Sequence, residues 1–324
     1  MKAVICKAFG PPESLVVEEI ESLTPGPGQV VISVKACGVN FPDTLIIQGL
    51  YQFKPPLPFS PGAEVAGIVK AVGAGVEHVA PGDRVISIAA YGGFAEEVIA
   101  EAAAVIPMPD ELEYDVAASF AMTYGTDLHA LTDRARLQPG ETLLVLGAAG
   151  GIGLAAVELG KALGARVIAA ASSDEKLAVC RQYGADATIN YVSEDLKERI
   201  KALTNGKGVD VVIDPVGGSY SEAALRGMAW NGRFLVIGFT SGDIPRIPLN
   251  LPLLKGCSIV GVFWGSFIMR DPQHHQEHLL QLLSWLREGK LKPHISARYP
   301  LEQAADALND ITQRRVTGKA VLIV

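Results

Sequence analysis

Apolar residues along the first third of the chain come in short blocks, and turn signals separate them. Val30–Val34 and Val65–Val69 are runs of strand length. Pro25-Gly26-Pro27-Gly28, Ser60-Pro61-Gly62 and Pro81-Gly82-Asp83 punctuate them. Alternation after Gly82-Asp83-Arg84-Val85 reads as a β-barrel corner, so residues 1–115 are expected to be mostly β. From about residue 125 the rhythm changes. Strands are expected at Thr142–Leu146, Ala165–Ala171, Val209–Asp214, Arg233–Ile237 and Ser258–Phe263. Helices are expected at Gly153–Leu163, Glu175–Tyr183 with Gly184 as the stop, 194–203 and 220–229. Strands alternating with helices of this length mean βαβ units around a parallel sheet. The last sixty residues predict helices Gln273–Glu288 and Leu301–Gln313, then a strand Lys319–Val324. A terminal strand needs a partner, and the β-rich first domain can provide one. The expected division is therefore a first domain over 1–124, a nucleotide-binding domain over 125–265, and a return to the first domain over 266–324.

A length of 324 residues suits about two domains. With 49% hydrophobic residues, the chain has apolar material for more than one core. Net charge is −7, which leaves no basic footprint for nucleic acid. A membrane-spanning helix needs about 18 apolar residues in a row. The longest uncharged run, Thr142–Val157, is broken by four glycines. The N-terminus has too short an apolar run for a signal peptide, and a cytoplasmic protein is the expectation. Cys6, Cys37, Cys180 and Cys257 are scattered, without the clustering of a disulfide framework or structural zinc site. They read as ordinary buried thiols.

The most informative stretch is Gly147-Ala148-Ala149-Gly150-Gly151-Ile152-Gly153, which leaves a strand and opens a helix. There a tight turn brings backbone N–H groups toward a pyrophosphate at a helix N-terminus. Gly150 and Gly153 hold the second and third fingerprint positions, and Ala148 replaces the first glycine. An NAD site would end its second strand on a carboxylate that grips the ribose. Here Ala171 ends that strand, followed by Ser172 and Ser173, with Lys176 one turn on and Tyr191 after the later strand. Hydroxyls and a cation suit a phosphate monoester, which favours NADPH over NADH. Asp174 and Glu175 fall at a helix start, where they read as capping acids.

His274 and His278 stand four residues apart on a predicted helix, a pairing that metal sites use. The helix is otherwise polar, and the solvated-face reading fits better because catalytic zinc needs three protein ligands. No metal is expected. Ser119 and Ser221 lack a nucleophile-elbow context. The loop Gly38-Val39-Asn40-Phe41-Pro42-Asp43, followed by Gly49-Leu50-Tyr51, is dotted with polar groups. Asn40 can hydrogen-bond a carbonyl or a ribose hydroxyl, and Tyr51 can donate a proton or hold an oxyanion. Asp43 reads as a cap rather than a catalyst, and Tyr51 reads equally well as a rim aromatic.

The segments GVNFPDTLIIQGLY, PGAEVAGIV, GDRV, TDLHAL and AAGGIG occur in the order of the medium-chain dehydrogenase/reductase superfamily. Over its whole length the chain resembles the superfamily's zinc-free quinone oxidoreductase (zeta-crystallin-like) family. Zinc enzymes of the superfamily carry a catalytic Cys at the position of Asn40 and a His at that of Ala63. They also carry a four-cysteine loop that this chain lacks. The resemblance implies an α/β fold, a Rossmann doubly wound parallel sheet plus a GroES-like, mostly β domain. It implies Asn40 and Tyr51 beside nicotinamide and substrate, and Thr126 on the nicotinamide side. Gly150, Gly151 and Ile152 would hold the pyrophosphate. Ser172, Ser173, Lys176 and Tyr191 would meet the 2′-phosphate. Ile237-Gly238-Phe239 and Val262-Phe263-Trp264 would line the nicotinamide pocket. It further implies a homodimer paired through strand 258–263. The implied activity is metal-free hydride transfer from NADPH to a small electrophilic acceptor, a quinone or an α,β-unsaturated carbonyl compound. The alternatives are an enoyl-thioester reductase, on enoyl-CoA or a carrier protein, and a non-catalytic NADPH-binding protein with a structural or sensing role.

Overall fold

A computed structural model describes all 324 residues. The chain divides into two compact units: Met1–Met122 with Pro293–Val324, and Thr123–Lys292. No helix is long and apolar enough to cross a membrane.

The first unit is built on a mixed sheet. Its strands run in the order Ile295–Pro300, Lys319–Ile323, Gln29–Val39, Glu64–Val72, Arg84–Ile88 and Val105–Pro107, with Glu97–Glu101 also paired to Gln29–Val39. The C-terminal strand lies antiparallel on the long central strand, with Ala320 opposite Val39 and Val321 opposite Gly38. Alternate residues of Gln29–Val39 feed a core of Val30, Ile32, Val34, Phe59, Val65, Phe94 and Leu322. Two glycines flank the Asn40 segment with close approaches. A Cβ at Gly38 would lie 2.0 Å from the Ala118 carbonyl oxygen. At Gly62, where φ is +90°, it would meet the Phe94 ring at 2.4 Å. The segment read as a loop after Asn40 contains a short helix, Phe41–Ile46.

The second unit is a six-stranded, wholly parallel sheet. The order is Ala187–Asn190, Arg166–Ala171, Thr142–Leu146, Val209–Asp214, Met228–Val236 and Ser258–Gly261. Numbered along the unit, this is 3-2-1-4-5-6, the dinucleotide-binding arrangement, in which ligands sit outside the carboxyl ends of the strands. Both the doubly wound sheet and the mostly β unit expected from the pattern are present. Cys6, Cys37 and Cys180 are buried thiols, Cys257 is half-buried, and none is paired.

Three expectations need correction. Residues 266–292 belong to the second unit rather than to the return. The physical reason is that helix Pro272–Arg287 turns His278, Leu279 and Leu282 inward, and Lys292 N–H donates to buried Glu158 at 2.8 Å. The last strand of the sheet ends at Gly261, before Phe263, because the chain turns into an unanticipated helix, Trp264–Arg270. The Leu301–Gln313 helix is a single 3-10 turn, Leu301–Gln303, followed by Ala304–Thr312.

Candidate active site

The glycine-rich turn follows strand Thr142–Leu146 and leads into helix Gly151–Ala162, with Gly150 as N-cap. Gly147, one residue before the position where Ala148 replaces glycine, takes the left-handed conformation at φ +58°. The tight turn therefore falls on Gly147, while Ala148 is buried and donates its N–H to Ala170. Gly153 keeps helix and strand in contact: a Cβ there would lie 2.3 Å from Gly147 O and 2.5 Å from Ala148 Cα. The N–H groups of Gly151, Ile152 and Gly153 have no partner within the helix and carry the positive end of its dipole. That cradle fits a pyrophosphate.

Around it, the other candidate residues of the second unit occupy the carboxyl ends of neighbouring strands. Ser172, Ser173 and Lys176 follow Arg166–Ala171, and Tyr191 follows Ala187–Asn190. Ser173, rather than either acid, caps helix Asp174–Gln182, accepting the Lys176 N–H at 3.3 Å. Asp174 is instead held by Asn190 Nδ2 at 3.1 Å. Tyr191 packs on Tyr220, their ring centroids 4.3 Å apart. Gly238 and Phe239 follow Met228–Val236, and the Ile237 and Gly238 N–H groups bond the Asp214 carbonyl. Phe263 is exposed, whereas Trp264 is buried, its ring 2.9 Å from where a Gly125 Cβ would stand. Thr126 is buried on helix Ala121–Leu128.

Sequence reasoning missed Asp214. Its buried carboxylate accepts the Val216 and Gly217 N–H groups at 2.8 Å each and the Ser221 hydroxyl at 2.5 Å. It shapes the turn after the fourth strand and explains Ser221 as a structural hydroxyl. Burial pushes its pKa up.

In the first unit, Asn40 lies within a buried polar cluster. Its Oδ1 accepts from Lys319 Nζ at 2.5 Å, and its Nδ2 donates to Glu64 Oε2 at 3.0 Å. Glu64 is completely buried and also accepts Lys319 Nζ at 3.0 Å and the Met122 N–H at 2.8 Å. Asp43 accepts the Asn40 N–H at 2.8 Å and the Gly62 N–H at 3.3 Å, so the capping reading describes it. Burial pushes Asp43 up to about 7. Tyr51 is half-buried against the first unit's core, and its phenol is pushed up by burial first and then by the negative charge of Asp43. Asp43 thus touches Asn40 and is felt by Tyr51. Lys319 was missed as a functional residue. Its signal was a lysine opening an otherwise apolar terminal strand.

The same geometry answers whether a catalytic zinc fits where the zinc enzymes hold one. Ala63 offers no donor, both amide atoms of Asn40 are engaged, and a buried ammonium stands 2.5 Å from Asn40 Oδ1. A dication beside that ammonium would be repelled, so these residues do not fit the group.

Comparison with known proteins agrees with this picture. Residues 26–110 match the alcohol dehydrogenase GroES-like domain, and residues 151–285 match the zinc-binding dehydrogenase family. A quinone oxidoreductase-like protein 2 homolog of Nematostella vectensis is 43% identical over 327 residues, spanning 99% of this chain and 88% of its own length. Escherichia coli quinone oxidoreductase, solved with NADPH, superposes with a TM-score of 0.93 at 32% identity, covering 100% of both chains. A mycobacterial protein solved with NADPH gives 0.94 at 31% identity, also covering 100% of both. With both units matched end to end and the nucleotide turn in place, the chain belongs to the zinc-free quinone oxidoreductase family of the medium-chain dehydrogenase/reductase superfamily.

Proposed function

We propose that this enzyme uses NADPH to reduce a quinone or an α,β-unsaturated carbonyl compound, without a catalytic metal. The observation that carries the cofactor reading is the glycine cradle at the N-terminus of helix Gly151–Ala162, flanked by Ser172, Lys176 and Tyr191 and by no carboxylate at Ala171. The NADPH bound in the two similar solved structures supports it. When bound, NADPH supplies a hydride.

The chain's own residues then have three tasks. Gly150, Gly151 and Ile152 hold the pyrophosphate through N–H groups and the helix dipole. Ser172, Lys176 and Tyr191 meet the 2′-phosphate, with Ser173 contributing only what its capping bond leaves free. Thr126, Gly238, Phe239, Phe263 and Trp264 are assigned to the nicotinamide side, Trp264 as a packing support. Asn40 and Tyr51 are assigned to the acceptor side: Asn40, its amide held by Glu64 and Lys319, forms part of the wall, while charge developing on the acceptor oxygen is met by the Tyr51 hydroxyl, and Tyr51 or water returns the proton. Burial and the negative charge of Asp43 hold the Tyr51 phenol above its ordinary range, so at neutral pH it is a neutral hydroxyl that can donate a hydrogen bond.

NADPH oxidation against quinones, alkenals and enoyl-CoA thioesters, repeated with NADH, tests this. A higher kcat/KM with NADPH and turnover of quinones or alkenals are expected. Equal efficiency with both cofactors would overturn the Lys176 argument. Turnover of enoyl thioesters alone would make it a thioester reductase, and tight NADPH binding with no turnover would make it a binding protein. Tyr51→Phe is expected to lower kcat about 100-fold, and full turnover would remove Tyr51 from the mechanism.

We also propose a homodimer paired through the edge strand Ser258–Gly261. That strand has a free side, and Ile259, Trp230, Leu253 and Leu254 are exposed on it or on elements packed beside it. An uncovered apolar edge invites association. Ile259→Lys is expected to shift light-scattering mass from dimer to monomer. A monomeric wild type would end the proposal.

A further inference from the structure

His129 and Asp133 stand four residues apart in the π-type turn His129–Arg134, and His274 and His278 stand four apart on helix Pro272–Arg287. All four belong to the second unit, and the structure brings them together. His274 Nε2 lies 3.2 Å from Asp133 Oδ1, and His278 Nε2 lies 3.6 Å from Asp133 Oδ2. One ligand atom from each of Asp133, His274 and His278 falls within 4.8 Å of the others. The solvated face read from the sequence holds for His274 only, because His278 is 7% exposed.

Three observations favour a metal ion over a plain network of ion pairs. The first is spacing. Zinc bonds to His and carboxylate of about 2.0–2.2 Å separate tetrahedral ligand atoms by about 3.3–3.6 Å. The two His–Asp distances, 3.2 Å to Oδ1 and 3.6 Å to Oδ2, are close to that size, and because they run to different oxygens an ion between the two rings would face both oxygens of the carboxylate. The second is the arrangement behind the ligands. His274 Nδ1 lies 3.0 Å from Glu277 Oε2 and its Nε2 3.2 Å from Asp133 Oδ1, so without an ion both nitrogens donate; an ion that displaced the Nε2 proton would find Nδ1–H already held by Glu277. Metal-bound histidines are held by carboxylates in this way. His129 Nδ1, 2.6 Å from Asp133 Oδ2, orients the carboxylate likewise. The third is His278. Its Nδ1 has no hydrogen-bond partner, and its Nε2 is too far from Asp133 for a hydrogen bond. A buried imidazole with neither nitrogen hydrogen-bonded is unusual; an ion would engage Nε2, the nitrogen that faces Asp133, and leave Nδ1 as it is.

We propose that Asp133, His274 and His278 form a binding site for one divalent transition-metal ion of the zinc class, with His129 and Glu277 as the supporting shell. Two imidazoles and a carboxylate suit zinc, nickel or copper better than magnesium or calcium. Three protein ligands leave one position for water, and the partial exposure of His274 and Asp133 gives an entry path. The site shares no residue with the NADPH cradle or the Asn40 cluster. Its effect is to clip helix Pro272–Arg287 to the turn that carries Asp133, stabilising the second unit by mass action.

The test is a cobalt(II) titration of the full chain after chelator treatment, read by visible absorption, with zinc competition and thermal unfolding in parallel. Saturation at one cobalt per chain, displacement by zinc, and a zinc-dependent rise in Tm are expected. His274→Gln, at the partly exposed ligand, is expected to weaken binding at least tenfold and to abolish the rise in Tm. His278→Gln is expected to do the same, and unchanged NADPH binding reports that both variants are folded. Absence of stoichiometric binding, equal affinity in the His274→Gln variant, or equally strong binding of magnesium would each overturn the site. None of these outcomes bears on the NADPH reading, which is measured separately.

Discussion

Lys319→Met is expected to destabilise the first unit by about 3–5 kcal/mol, because it strands a fully buried carboxylate. Glu64 keeps the Met122 N–H and Asn40 Nδ2 but loses the only cation in contact with it. Thermal unfolding should show a Tm lower by roughly 10 °C, at a few degrees per kcal/mol for a unit of this size. The double variant Glu64→Gln/Lys319→Met removes both charges at once. It should recover much of the loss, since removing a whole buried pair costs far less than breaking it. A double variant no better than the single one would show that packing, not charge, holds this cluster. Both variants should also lower kcat, because Asn40 Oδ1 loses the donor that orients its amide.

The second large effect is expected at the glycine turn, where two neighbouring substitutions should part company. In Gly153→Ala the new methyl meets backbone, 2.3 Å from Gly147 O and 2.5 Å from Ala148 Cα. Backbone cannot rotate away as a side chain can, so helix Gly151–Ala162 must lift off the strand. The expected loss is about 3 kcal/mol, at the upper end for overpacking, together with NADPH affinity. Gly150→Ala is different: its Cβ has no neighbour closer than Gly147 O at 3.4 Å. It should fold with nearly unchanged Tm, yet bind NADPH at least tenfold more weakly, because the methyl occupies the face offered to the pyrophosphate. Calorimetric unfolding and cofactor titration of both variants check this. Wild-type NADPH affinity in Gly150→Ala would mean that the phosphate does not approach that face.

Much of the architecture is legible in the residues themselves. The parallel sheet follows from apolar runs spaced by helical periods, and the nucleotide turn follows from glycines placed between a strand and a helix. Both are local patterns, set by backbone sterics and by the period of side-chain burial. The edge of the sheet was read two residues too long, and helix Trp264–Arg270 was not anticipated. There the choice between strand and helix depends on what the apolar residues pack against, as with Trp264 against Gly125.

The amino-acid order by itself determined the two folding patterns, the glycine turn between a strand and a helix, and the absence of a carboxylate at Ala171. Each of these is a property of neighbours along the chain. Only the tertiary structure decided that Lys319 reaches across 279 positions to Asn40, that Asp214 organises the fourth strand's turn, and that His274, 141 residues on, and His278 face Asp133. Those pairings carry no local signature, because charge and ligand geometry act through space. A polar residue's partner becomes known only when the elements that bury it have packed.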